Sequence, residues 1–112
     1  MQFRTSMLDN ETAVIEIETG DSGPIVEMMD QRENGFAIFG EGVSIPVAVV
    51  DGRLRSQSWF TEDHLLAIEA HEVGHIRTGS IDEPTAEREG IRLLDESGNM
   101  GASHLLRLRG LV

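Results

Sequence analysis

The chain has 112 residues, enough for one small domain with a single core. Its net charge is −11, with no lysine among nine basic residues, and that acidic balance argues against binding a phosphate backbone. The absence of cysteine excludes disulfides, thiolate metal sites and a cysteine nucleophile together, so a metal would have to be held by His, Asp or Glu.

The opening stretch, "MQFRTSMLDNETA", contains no apolar run of signal-peptide length. No uninterrupted apolar stretch is long enough to span a bilayer. The expectation is a soluble, cytoplasmic protein with neither a membrane nor a nucleic-acid partner.

"TAVIEIETG", residues 12–20, sets Ala13, Ile15 and Ile17 against Glu16 and Glu18, which predicts a strand with one wet face. "DSGP" reads as a turn and "IVEMMD", residues 25–30, as a second short strand. "QRENG" carries an Asn-Gly hairpin signal. Residues 36–40 and 43–50 read as further strands; Pro46 cannot donate to a ladder, so its strand is expected at an edge or locally irregular. Residues 51–58 read as a turn with room for a short return strand.

The period changes after Trp59. Leu65, Leu66, Ile68, Val73 and Ile76 recur at helical spacing, Thr61 is a candidate N-cap, and Gly79 suits the position just past the end. These signals predict a helix over 61–78. A second helix is expected from Asp82 or Glu83, with Pro84 in its first turn, to about Ser97. The tail, "MGASHLLRLRGLV", fits either a short helix capped by Ser103 or a strand. Strands followed by helices make this an α+β domain occupying residues 1–112, with a small antiparallel or mixed N-terminal sheet.

The chemistry concentrates in "HEVGHIRTGSIDEPTAEREG". Residues four apart share a helix face, so His71 and His75 can hold one metal ion with two imidazoles. Glu72 projects to nearly the same side and can serve as a base without ligating. Gly74 costs about 1 kcal/mol inside a helix, which suggests that another element comes close there. A catalytic zinc needs a third protein ligand. Glu83 and Glu87 lie on one face of the second helix, and Asp82 is the next candidate.

His71-Glu72-x-x-His75 followed by a glutamate-bearing helix resembles the gluzincin metallopeptidases. Glu83-x-x-Ala86-Glu87-x-x-Gly90-x-x-Leu93-Leu94 is similar to a segment of ImmA/IrrE-type and HtpX-type zinc peptidases. The resemblance covers residues 61–94. It implies a minimal zincin-like domain in which Zn2+ is bound by His71, His75 and Glu83, with Glu87 supporting a ligand. It further implies a zinc-dependent peptidase in which a zinc-activated water attacks the peptide bond and Glu72 is the general base. The partner would then be a peptide or protein substrate. The alternative is a zinc-binding interaction domain with a zincin fold and little or no turnover.

The chain has no tyrosine to stabilise an oxyanion, so His104, His64 or an arginine would take that task. Trp59 and Phe60 read as a hydrophobic anchor. Arg77, Arg88 and Arg92 read as helix-surface ion-pair partners. "GFAIFGEGVSIPV" reads as hairpin turns or as an exposed edge strand that pairs with an extended peptide.

Overall fold

The computed structural model describes residues 1–32 and 34–108. Four strands form one mixed sheet: β1 (Gln2–Thr5), β2 (Ala13–Ile17), β3 (Gly35–Ile38) and β4 (Val47–Asp51), in the order β1-β2-β4-β3. β1 runs antiparallel to β2 with Phe3 opposite Ile15, β2 runs parallel to β4 with Ile15 opposite Val49, and β3 runs antiparallel to β4 with Phe36 opposite Val49. The helices are α1 (Pro24–Asp30), α2 (Glu62–Thr78), α3 (Glu83–Glu96) and α4 (Met100–Leu108).

The two inner strands are covered on both faces. Val14, Ala48 and Val50 join Leu65, Ile68 and Val73 of α2 and Leu93 of α3 in one core. Ile15, Ile17, Val49 and Phe36 point the other way, onto Val26 and Met29 of α1. A third apolar cluster, with Leu66 and Ala70 of α2, Leu94 of α3 and Ala102 and Leu106 of α4, packs the helices together. The architecture is therefore α1 on one face of the sheet and α2 with α3 and α4 on the other.

This arrangement corrects several local expectations. Residues 25–30 are a helix, not a strand: Pro24 starts it with a preset φ, and Val26 and Met29, three apart, turn the same way into the core. Asn34-Gly35 does not close a hairpin. It links α1 to β3, where Asn34 takes φ 60° and its carbonyl accepts from the Asp51 N–H at 2.9 Å. Pro46 does not mark an edge strand, because β4 begins one residue later and lies inside the sheet; the Pro46 carbonyl still accepts from Ala13 N–H at 3.0 Å. Residues 52–56 form a 3-10 turn instead of a return strand, capped by the Asp51 side chain accepting from Arg53 N–H at 3.1 Å.

Glu16 is not on a wet face either. It is 5% exposed, and Arg4 and Arg55 reach its carboxylate at 2.9 and 3.1 Å. α2 covers that face of β2, so the glutamate is buried with its counter-charges. The strand β1 escaped the sequence reading because "QFRT" has only one apolar residue, which is itself exposed. Ser103 sits within α4, not at its cap: its N–H bonds the Asn99 carbonyl at 3.0 Å and its hydroxyl meets Asp95. The strand alternative for the tail fails over residues 104–108, and its last four residues lie outside the described ones.

Candidate metal centre

Helix α2 is fixed at both ends. The Thr61 hydroxyl caps its start, and the His64 ring nitrogen Nδ1 accepts from Thr61 N–H at 3.0 Å, completing a reciprocal box. Gly79 ends it at φ 63°, a conformation that favours glycine. Both anchors hold the "HEVGH" stretch well inside a rigid element. Its faces are almost all covered, since the sheet lies on one side and α3 and α4 on the other.

The chain then turns through Gly79-Ser80-Ile81 and re-enters a helix capped by Asp82, whose carboxylate accepts from Thr85 N–H at 2.9 Å. The Thr85 hydroxyl, which donates to the same carboxylate, and then that N–H hold the Asp82 pKa below the ordinary carboxylate range. Two glycines set the spacing of α2 and α3. A methyl on Gly74 would overlap the Ala86 carbonyl oxygen, and one on Gly90 would stand 2.7 Å from the Ala70 carbonyl oxygen. The backbones can approach this closely only because neither position carries a Cβ.

The close crossing delivers the first turn of α3 to the His71–His75 face of α2. Glu83 faces both imidazoles at once: one carboxylate oxygen lies 2.8 Å from His71 Nε2 and the other 2.9 Å from His75 Nε2. One ligand atom from each of the three residues falls within 4.8 Å of the others. His75 Nδ1 is 2.7 Å from the Ser80 carbonyl oxygen. A carbonyl can only accept, so the Nδ1 hydrogen is committed there, and Nε2 is the nitrogen turned toward Glu83. Two imidazole nitrogens and a carboxylate brought this close together could hold a metal ion. The donor set fits zinc and other divalent ions that take nitrogen and oxygen ligands.

Glu72 is 8% exposed and lines the same cleft as the triad. Burial pushes its pKa up to about 8, and the neighbouring Glu83 adds to the rise, while the charge of Arg32 opposes it. Glu87 lines the cleft one turn beyond Glu83 but is not one of the three converging ligands. Asp82, the third sequence candidate, is occupied as the helix cap.

The cleft holds about 820 Å³ and runs between the triad and β3, an edge strand of the sheet. Gly35 opens β3 directly against α2: a methyl there would come within 2.8 Å of Ile68 Cγ2 and 3.3 Å of Glu72 Cγ. Phe39, just past β3, stacks beside His75 with ring centroids 6.5 Å apart. Arg32 and Ile81 were missed as cleft residues by sequence reasoning; neither belongs to a motif, and only the folded chain carries them there, whereas Phe39 falls in the stretch that reads as hairpin turns or an edge strand.

The two other histidines lie elsewhere. His64 stacks on Phe60 at 5.3 Å beside Trp59, and His104 is exposed on α4; neither lines the cleft. Phe60 is buried in the core while Trp59 stays half exposed, so the anchoring falls mainly to Phe60. Arg77 and Arg92 pair with Glu89, but Arg88 instead reaches the Thr85 hydroxyl at 3.5 Å. No described helix is long and apolar enough to cross a membrane. No protein-family model, curated protein or solved structure matches this chain.

Proposed function

We propose that this chain is a small zinc-dependent peptidase built on a minimal zincin-like domain. The observation that carries the reading is the convergence of His71, His75 and Glu83, with Glu72 buried beside them and an edge strand along the same cleft. A zinc ion held by the three ligands would supply Lewis acidity, polarising a peptide carbonyl and lowering the pKa of a water.

The protein's own groups do the rest. Ser80 fixes the His75 tautomer and ring orientation through its carbonyl. Glu72, rooted in α2, accepts a proton at its carboxylate and passes it to the leaving amine. The free edge of β3 supplies backbone donors and acceptors for an extended peptide.

One observation favours a second reading, a zinc-binding interaction domain with little or no turnover. The chain has no tyrosine, and neither His64 nor His104 lines the cleft to steady an oxyanion. The experiment that separates the readings is a digest of a broad peptide library by zinc-loaded protein, repeated with Glu72→Gln. Cleavage that disappears in Glu72→Gln while zinc is retained supports the peptidase. Full zinc occupancy with no cleavage by either protein supports the interaction domain. Zinc below about a tenth of an equivalent in zinc-supplemented protein removes both readings.

A further inference from the structure

Among the arginines of the described residues, Arg32 and Arg88 have no ion pair, and of the two Arg32 lines the cleft. Arg4, Arg53, Arg55, Arg77, Arg92 and Arg107 each pair with a carboxylate. Arg32 is exposed, and among the described residues it has no ion pair. Its guanidinium lies over the Phe36 ring, 6.0 Å from the centroid, and it lines the cleft that holds the metal triad. Among the described residues it is the one arginine that lines the cleft.

Its position says what it would meet. Arg32 follows the last turn of α1, and Phe36 belongs to the sheet face that α1 covers. Gly35, next to Phe36, faces α2 and Glu72 instead. A peptide laid along the free edge of β3 alternates its side chains in the same way. One set turns toward α2 and the metal triad. The other turns toward α1, where Arg32 and the half-exposed Met28 wait.

The charge balance points the same way. A chain of net charge −11 repels acidic peptides in general, and a guanidinium with no ion pair among the described residues opposes that at the cleft rim. A guanidinium matches a carboxylate with two parallel N–H donors, and stacking on an aromatic ring holds it in a defined orientation. We propose that Arg32 is a specificity residue that reads a carboxylate on the substrate, either an acidic side chain or the peptide's C-terminal carboxylate. The inference rests on the peptidase reading and names the substrate class for that site.

The test measures binding, not turnover. Zinc-loaded Glu72→Gln protein is titrated against fluorescein-labelled alanine-based peptides by anisotropy. Amidated peptides carrying one Glu are compared with their Gln twins, and a Gln peptide with a free C-terminal carboxylate forms a third arm. Arg32 protein should bind one carboxylate-bearing peptide about fivefold more tightly than the neutral twin, the scale of an exposed ion pair. Added salt should shrink the gap.

Arg32→Ala should close the gap and leave the neutral peptide's affinity in place, while Arg32→Glu should turn the preference toward Lys peptides. The arm that responds identifies the source of the carboxylate. A carboxylate preference that survives Arg32→Ala, or no preference in the parent protein, overturns the assignment of Arg32 and leaves the peptidase reading standing. No binding by any peptide overturns both.

Discussion

Gly74→Ala probes the link between fold and site most directly. The added methyl would overlap the Ala86 carbonyl oxygen and lie 2.9 Å from its carbonyl carbon and 3.1 Å from its Cα. These are backbone atoms of a packed helix, so no side chain can swing away. Ordinary contacts need about 3.5–4.0 Å, so α3 must retreat by roughly 1.5 Å at Ala86. Glu83 is one turn before Ala86 and moves with it. Metal–ligand distances tolerate only about 0.2 Å, so zinc affinity should fall about tenfold or more.

Stability should change less. Overpacking costs about 1–3 kcal/mol, and alanine recovers about 1 kcal/mol of helix preference over glycine. Gly90→Ala is the control. Its methyl also presses on a backbone carbonyl, that of Ala70, but Gly90 is about one turn farther along α3 from Glu83 than Ala86 is. It should cost similar stability and much less affinity. Competition against a chromophoric zinc chelator gives the affinities, and melting in excess chelator gives the metal-free stabilities. A Gly74→Ala protein that binds zinc as tightly as the parent would refute the claim that this crossing sets the triad.

Three further outcomes follow from particular contacts. Glu83→Ala should lower zinc affinity by more than Glu87→Ala, since Glu83 faces both imidazoles; the same competition titration checks it, and a larger loss from Glu87→Ala overturns the order. Glu72 keeps its proton in the folded metal-free protein up to about pH 8 and loses it near 4.5 when unfolded, so stability falls as pH rises through that window. Metal-free Glu72→Gln should therefore match the parent near pH 4.5 and exceed it by about 3 kcal/mol at pH 7, with zinc narrowing the gap; urea melts that show no pH-dependent gap contradict this. Arg4→Ala strips the guanidinium from Glu69, which is wholly buried and, among the described residues, otherwise accepts only from Ser6 Oγ at 2.7 Å and Met7 N–H at 3.1 Å. It should cost about 3 kcal/mol in denaturant unfolding, and a loss under about 1 kcal/mol would mean that the network is dispensable.

What the sequence determined by itself was local and periodic. The apolar spacing after Trp59, the Thr61 cap and Gly79 bounded α2, because helical periodicity and capping are properties of neighbouring residues. His71 and His75 could be placed on one face by arithmetic alone, and Gly74 could be read as a point of close approach. Short apolar segments were not decidable in the same way. "IVEMMD" has too few residues to separate a period of two from one of 3.6, and only Pro24 and the packing of Val26 and Met29 under the sheet made it a helix. Glu16 looked solvated because alternation reports which residues share a face, not what covers that face; Arg4, Arg55 and α2 decided it. Glu83 and Glu87 were equivalent by spacing, and the crossing of α2 and α3 at Gly74 and Gly90 brought Glu83 to the imidazoles. Arg32 carried no signal in the sequence. Its role as a cleft cation depends on α1 ending at the rim of an edge strand, a relation between elements that only tertiary packing creates.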